Sequence, residues 1–87
     1  MNIKWILLLL FISTSAHAES ERFYQEKYCP GELEVVLPDK SRIDCETSEY
    51  AIEFDFAKKW AEAIGQSLHY ARLANKKAGT TLIVEAE

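Results

Sequence analysis

Asp44, Glu53 and Asp55 bring three carboxylates into one short stretch of this chain, and Lys59, Gln66 and Tyr70 follow at helical spacing. Glu53 and Asp55 are two residues apart, which on a β-strand places both on one face, about 6–7 Å apart. Asp44 precedes them on a separate segment, and neighbouring strands lie about 4.8 Å apart. If the two segments pair, the three carboxylates converge, and groups so close repel unless a cation joins them. Mg²⁺ takes one or two carboxylates and fills its remaining positions with water and phosphate oxygens, and Mn²⁺ suits the same oxygen ligands. Such a metal lowers the pKa of a bound water and clamps a phosphodiester in line. A nearby lysine orients the water or neutralises developing charge. The chemistry in prospect is metal-assisted phosphodiester hydrolysis. Asp44, Glu53 and Asp55 are its candidate metal ligands.

The elements that must position these residues follow from the patterning. Glu19–Tyr28 reads as a short helix or helical turn, stopped by Pro30-Gly31. Residues 33–46 read as a hairpin: Leu33–Leu37 is β-rich, Pro38-Asp39-Lys40-Ser41 is a turn sequence, and Arg42–Glu46 returns. After Thr47-Ser48-Glu49, Tyr50–Phe56 alternates as a strand, with Tyr50, Ile52, Phe54 and Phe56 on one face. Ala51, Glu53 and Asp55 take the other face. The period changes to helical over Ala57–Asn75, and Lys76-Lys77-Ala78-Gly79 supplies a basic end and a glycine stop. Thr80–Val84 is an apolar last strand. The order α-β-β-β-α-β belongs to the α+β or α/β class, and the segment 50–84 is suited to a parallel strand-helix-strand crossover.

A helical wheel of 57–75 separates three arcs at about 100° per residue. Lys59, Glu62, Gln66 and Tyr70 form a polar stripe. Trp60, Ile64, Ser67, Ala71 and Ala74 form the expected core face. Lys58, Ala61, Gly65, His69 and Arg72 are expected to face solvent.

The first eighteen residues read as an address. Lys4 precedes the apolar run Trp5–Ile12, and Ala16-His17-Ala18 ends a small-residue segment, the order of a secretory signal peptide. The run is too short to span a bilayer, which needs about 20 residues. Cleavage after Ala18 leaves 69 of the 87 residues as a single small domain, exported to the periplasm or the medium, with no membrane span. That length is near the lower limit, about 70–80 residues, at which one hydrophobic core suffices. In an oxidising compartment Cys29 and Cys45 read as a disulfide, for which chain entropy gives about 3 kcal/mol.

Composition excludes several classes. With 10 Lys+Arg against 14 Asp+Glu the net charge is −4, and −5 once Lys4 leaves with the signal. A broad basic nucleic-acid surface is excluded. Length excludes a two-domain cofactor enzyme, and 3 Gly with 48% hydrophobic residues excludes a collagen-like or low-complexity chain. Ser48 and Ser67 have no His-Asp arrangement for a hydrolase triad. Gly31, Gly65 and Gly79 make no phosphate loop. His69 has no evident partner, and Trp60 and Tyr50 read as core residues.

Taken in order, Asp44, the strand with Glu53-x-Asp55, and the helix with Gln66-Ser67-Leu68-His69-Tyr70 resemble the PD-(D/E)xK nuclease superfamily. The similarity is to its branch with a Q-x-x-x-Y helix, as in the nuclease domains of recombination helicases. It extends to small secreted bacterial members with runs like Ala51–Trp60 and Glu62–Leu68, and covers about residues 42–84. The resemblance implies a restriction-endonuclease-like core and a Mg²⁺- or Mn²⁺-dependent activity on DNA or RNA. It implies that Asp44 is the first metal-binding aspartate and Glu53 the second acidic ligand, with Gln66 and Tyr70 at the active site or on the substrate backbone. Residue 55 is Asp where the family has Lys, and Lys59 is the candidate replacement. The family's last helix and strand are expected to be missing after Val84.

Three readings follow. The first is an exported metal-dependent nuclease, aided by basic residues Lys58, Lys59, Arg72, Lys76 and Lys77. The second is a catalytically silent member of the fold, acting as an exported binding or accessory module with a protein partner or as a homodimer. The third is an unrelated exported α/β domain in which Glu53 and Asp55 are merely solvated.

Overall fold

A computed structural model describes residues 19–85. The signal-peptide reading of 1–18 lies outside the described residues, as does Glu87. Helix α1 (Glu21–Tyr28) starts where the Ser20 hydroxyl accepts a hydrogen bond from the Phe23 N–H at 3.2 Å. Strands β1 (Glu32–Val36) and β2 (Arg42–Glu46) form the expected hairpin. At its turn Asp39 accepts from the Ser41 N–H and Lys40 takes a left-handed conformation with φ 73°. Strand β3 (Tyr50–Phe56) follows a tight turn in which the Thr47 hydroxyl accepts from the N–H groups of Glu49 and Tyr50. A 3₁₀ turn (Ala57–Lys59) leads into helix α2 (Trp60–Ala74), and strand β4 (Lys77–Ile83) completes the fold.

The result is a small α+β domain with two helices and a four-stranded mixed sheet in the order β1-β2-β3-β4. β1, β2 and β3 pair antiparallel, and β3 pairs parallel with β4. The connection through α2 is therefore the parallel crossover expected for 50–84. Its core is built from Leu37, Ile43, Ala51 and Ala71, with Val35, Tyr70, Ala74 and Ala78 packed around them. The small side chains on both sides let α2 approach the sheet closely. A second apolar region, a cavity of about 260 Å³, lies between Tyr24 and Tyr28 of α1 and Phe54, Thr81 and Ile83 of the sheet.

The Cys29–Cys45 disulfide forms and ties the end of α1 to β2. It requires a close crossing just beyond it. A Cβ on Gly31 would stand 2.1 Å from the Glu46 carbonyl oxygen, so a side chain does not fit there without backbone movement.

Three expectations are corrected. The last strand begins at Lys77 rather than Thr80. Asn75, left-handed at φ 57°, ends α2 in place of the glycine, so Lys77-Ala78-Gly79 enters the sheet. On α2, Ser67 and Ala71 are buried as expected and Ala63 is buried with them, whereas Trp60 and Ile64 are exposed, as is Tyr50. Close helix-sheet packing selects the small residues of that arc over the bulky ones. Glu53 and Asp55 are not solvated: they are 5% and 6% exposed. Lys58, Ala61, Gly65, His69 and Arg72 face solvent as expected.

Candidate functional site: a carboxyl pair between two strands

The β2–β3 ladder pairs Cys45 with Ile52 and Glu46 with Ala51, then stops. Beyond it, side chains take over from the backbone. The Asp44 N–H donates to Glu53 Oε2 at 3.2 Å, and the Phe54 N–H donates to Asp44 Oδ2 at 2.9 Å. Each carboxyl therefore satisfies a backbone donor on the opposite strand, and the two acids are held face to face where the strands separate.

The register places the pair beneath α2. Glu53 is the partner of Thr80 in β4, and the Thr80 hydroxyl donates to the buried Ser67 hydroxyl of α2 at 3.0 Å. Ser67 in turn donates to the Ile64 carbonyl at 2.9 Å. This chain of bonds fixes the height of the helix over β4, beside the strand that carries Glu53.

Burial governs the electrostatics. It pushes the Glu53 carboxyl up to about 8, with the Asp44 charge adding to the shift. Burial also raises Asp44, opposed by its bond from the Phe54 N–H. The pair therefore holds a proton more tightly than two separate acids would. Among the described residues, no ion pair involves Asp44, Glu53 or Asp55.

The remaining expected residues distribute around this centre. Asp55 is buried, and its Oδ1 accepts from the Phe56 N–H at 2.8 Å at the entrance to the 3₁₀ turn. Tyr70 is half-buried close enough that burial, then the Glu53 and Asp44 charges, raise its phenol. Lys59, at the end of the 3₁₀ turn, and Gln66, on α2, are exposed. Of the basic residues, Lys76 is bound to Glu46 at 3.2 Å and to the Thr47 carbonyl at 2.6 Å, and Lys77 pairs with Glu49 at 3.7 Å. Both are at the opposite end of β3 from Asp55.

The sequence offered no sign of one further participant, Glu21. Burial raises its carboxyl, and the charges of Asp55 and Asp44 raise it further, while Lys59 lowers it. The first turn of α1 thus shares a locality with the pair. Only the tertiary placement of α1 brings it there.

The donor set matches a hard divalent cation in type, being carboxylate oxygen with both cysteines in the disulfide. Asp44 and Glu53 each commit one oxygen to a backbone N–H, leaving Oδ1 and Oε1. Among the described residues, no group of three or more His, Cys, Asp and Glu side chains is spaced to hold a metal ion. No family model, curated protein or solved structure matches this chain.

Proposed function

We propose that this is an exported nuclease-like protein of the PD-(D/E)xK type, in which Asp44 and Glu53 hold Mg²⁺ or Mn²⁺ against a phosphodiester of DNA or RNA. The observation that carries the reading is the carboxyl pair itself: two acids from adjacent strands, Glu53 buried and Asp44 half-buried against it, without an ion-pair partner among the described residues. A buried acid pair is costly unless a proton or a cation joins it. Two carboxylates, with water and phosphate oxygens in the other positions, is the pattern Mg²⁺ favours. The bound ion would supply an acidified water and charge neutralisation at the phosphate.

This chain's own residues have separate tasks. The Asp44 and Phe54 N–H groups orient the two carboxyls. Ser67 and Thr80 hold α2 at the height that sets Tyr70 beside them. Asp55 stays on the Phe56 N–H and shapes the turn into α2. Lys59, at the start of that helix, is the cation available to the substrate side. The disulfide belongs to an oxidising compartment, which supports export. No helix among the described residues is long and apolar enough to cross a membrane.

A second reading is a catalytically silent module of the same fold. It is favoured by Asp55 standing where the family has Lys, and by the proximity of Lys59 to Glu21. Calorimetry with Mg²⁺ and Mn²⁺ on the oxidised protein, beside Asp44→Ala/Glu53→Ala, tests both. Binding lost in a folded double variant supports the cation site. Cleavage of plasmid DNA or RNA that falls with Lys59→Ala then supports the nuclease, whereas binding without cleavage supports the silent module. No binding by the folded wild type overturns the cation site.

A further inference from the structure

We propose that the outer edge of β4 and the apolar flank of α2 form one self-complementary surface that takes a second copy of this chain. β4 is an edge strand: among the described residues it pairs only with β3, and its other side presents unpaired N–H and C=O groups. Above that edge lies an exposed apolar stripe on α2. Trp60, Ile64 and Leu68, four residues apart, are 57%, 42% and 59% exposed.

The stripe leans towards the edge rather than away from it. Two contacts fix the rotation of α2. Tyr70 packs on the core cluster that contains Leu37 and Ile43 of the β1–β2 hairpin. Ser67 touches Thr80 of β4. Continuing round the helix in the same sense leads from Ser67 to Ile64 and Leu68, which therefore overhang the free side of β4.

A two-fold axis through this edge satisfies both features at once. It would pair β4 antiparallel with its copy and set the two α2 helices antiparallel above the joined sheet. The levels agree. Ile64, the middle of the stripe, is three residues before Ser67, about 4.5 Å along the helix. That equals between one and two strand residues at about 3.3 Å each, level with Thr81 or Leu82. An axis through Thr81 thus also passes near Ile64, so Ile64 meets Ile64 and Trp60 faces Leu68 of the copy. The same register sets Lys77 opposite Glu85 of the copy, a complementary pair at each end. The exposed Lys77–Glu49 ion pair is a weak surface contact that can exchange for it.

Sedimentation equilibrium on the purified chain tests the proposal. A dimer is expected, and Ile64→Glu should weaken it by about tenfold or more with an unchanged circular dichroism spectrum. Lys77→Glu and Glu85→Lys should each weaken it, and combining them should restore it. A monomer at all concentrations, open-ended growth, or a dimer indifferent to Ile64→Glu overturns the proposal. A double exchange no tighter than the single changes overturns the Thr81 register.

Discussion

Asp44 and Glu53 exchange backbone partners across the gap between two strands: each carboxyl accepts the N–H that the interrupted ladder leaves behind. The arrangement solves two problems together. Two partly buried donors are satisfied where the strands separate, and two acids are kept close enough to share a proton.

The first consequence is a dependence of stability on pH. The folded-state affinity of Glu53 for its proton is raised to about 8 from an ordinary 4.5. Folding therefore favours the protonated form. The contribution is fully present below about pH 4.5 and is lost as pH rises through 8. The melting temperature should be higher at pH 6 than at pH 9, by on the order of 5 °C. Glu53→Gln should flatten this dependence, as measured by thermal unfolding across pH.

Glu21 modulates the same proton. Its charge adds to the upward shift at Glu53. Glu21→Gln should lower the Glu53 titration midpoint without abolishing its elevation. Carbon-detected NMR of the glutamate carboxyls would show it, and an unchanged midpoint would remove Glu21 from the site.

Loss of the disulfide should be costly in so small a domain. Reduction, or Cys29→Ser with Cys45→Ser, should destabilise by about 3 kcal/mol, a fall in melting temperature on the order of 10 °C or more. Denaturant unfolding of oxidised and reduced protein measures it directly.

Gly31→Ala should destabilise by about 2 kcal/mol or more, because the added Cβ meets the Glu46 carbonyl rather than a side chain that can move. Gly65→Ala is the control. Nothing is within 4 Å of its Cβ position, and alanine is the better helix former by about 1 kcal/mol, so that change should stabilise.

The hydroxyl chain from Thr80 to Ser67 should contribute about 1 kcal/mol. Thr80→Val keeps the shape and removes the donor to Ser67. A loss of that order in urea unfolding is expected, with little change in secondary structure.

Strong local patterns determined much of this protein from sequence alone. The alternation of Tyr50–Phe56 and the turn at Pro38–Ser41 each act over a few residues, the cysteines are a single pair, and each appears in the structure as read. The proximity of Asp44 to Glu53 was legible for the same reason, since a hairpin-like return brings adjacent strands together. Tertiary structure decided the rest. Within the arc of α2 read as core, Ser67 and Ala71 are buried as expected, but how closely the sheet admits a helix buried Ala63 and left Trp60 and Ile64 exposed. The start of β4 depended on Asn75 accepting a left-handed turn, a choice open to asparagine but not dictated by it. The arrival of Glu21 within electrostatic reach of Asp44 and Asp55 depended on the packing of α1 against β3, far along the chain. Local sequence sets backbone preference over a few residues, whereas burial and charge proximity are properties of the assembled sheet and helices.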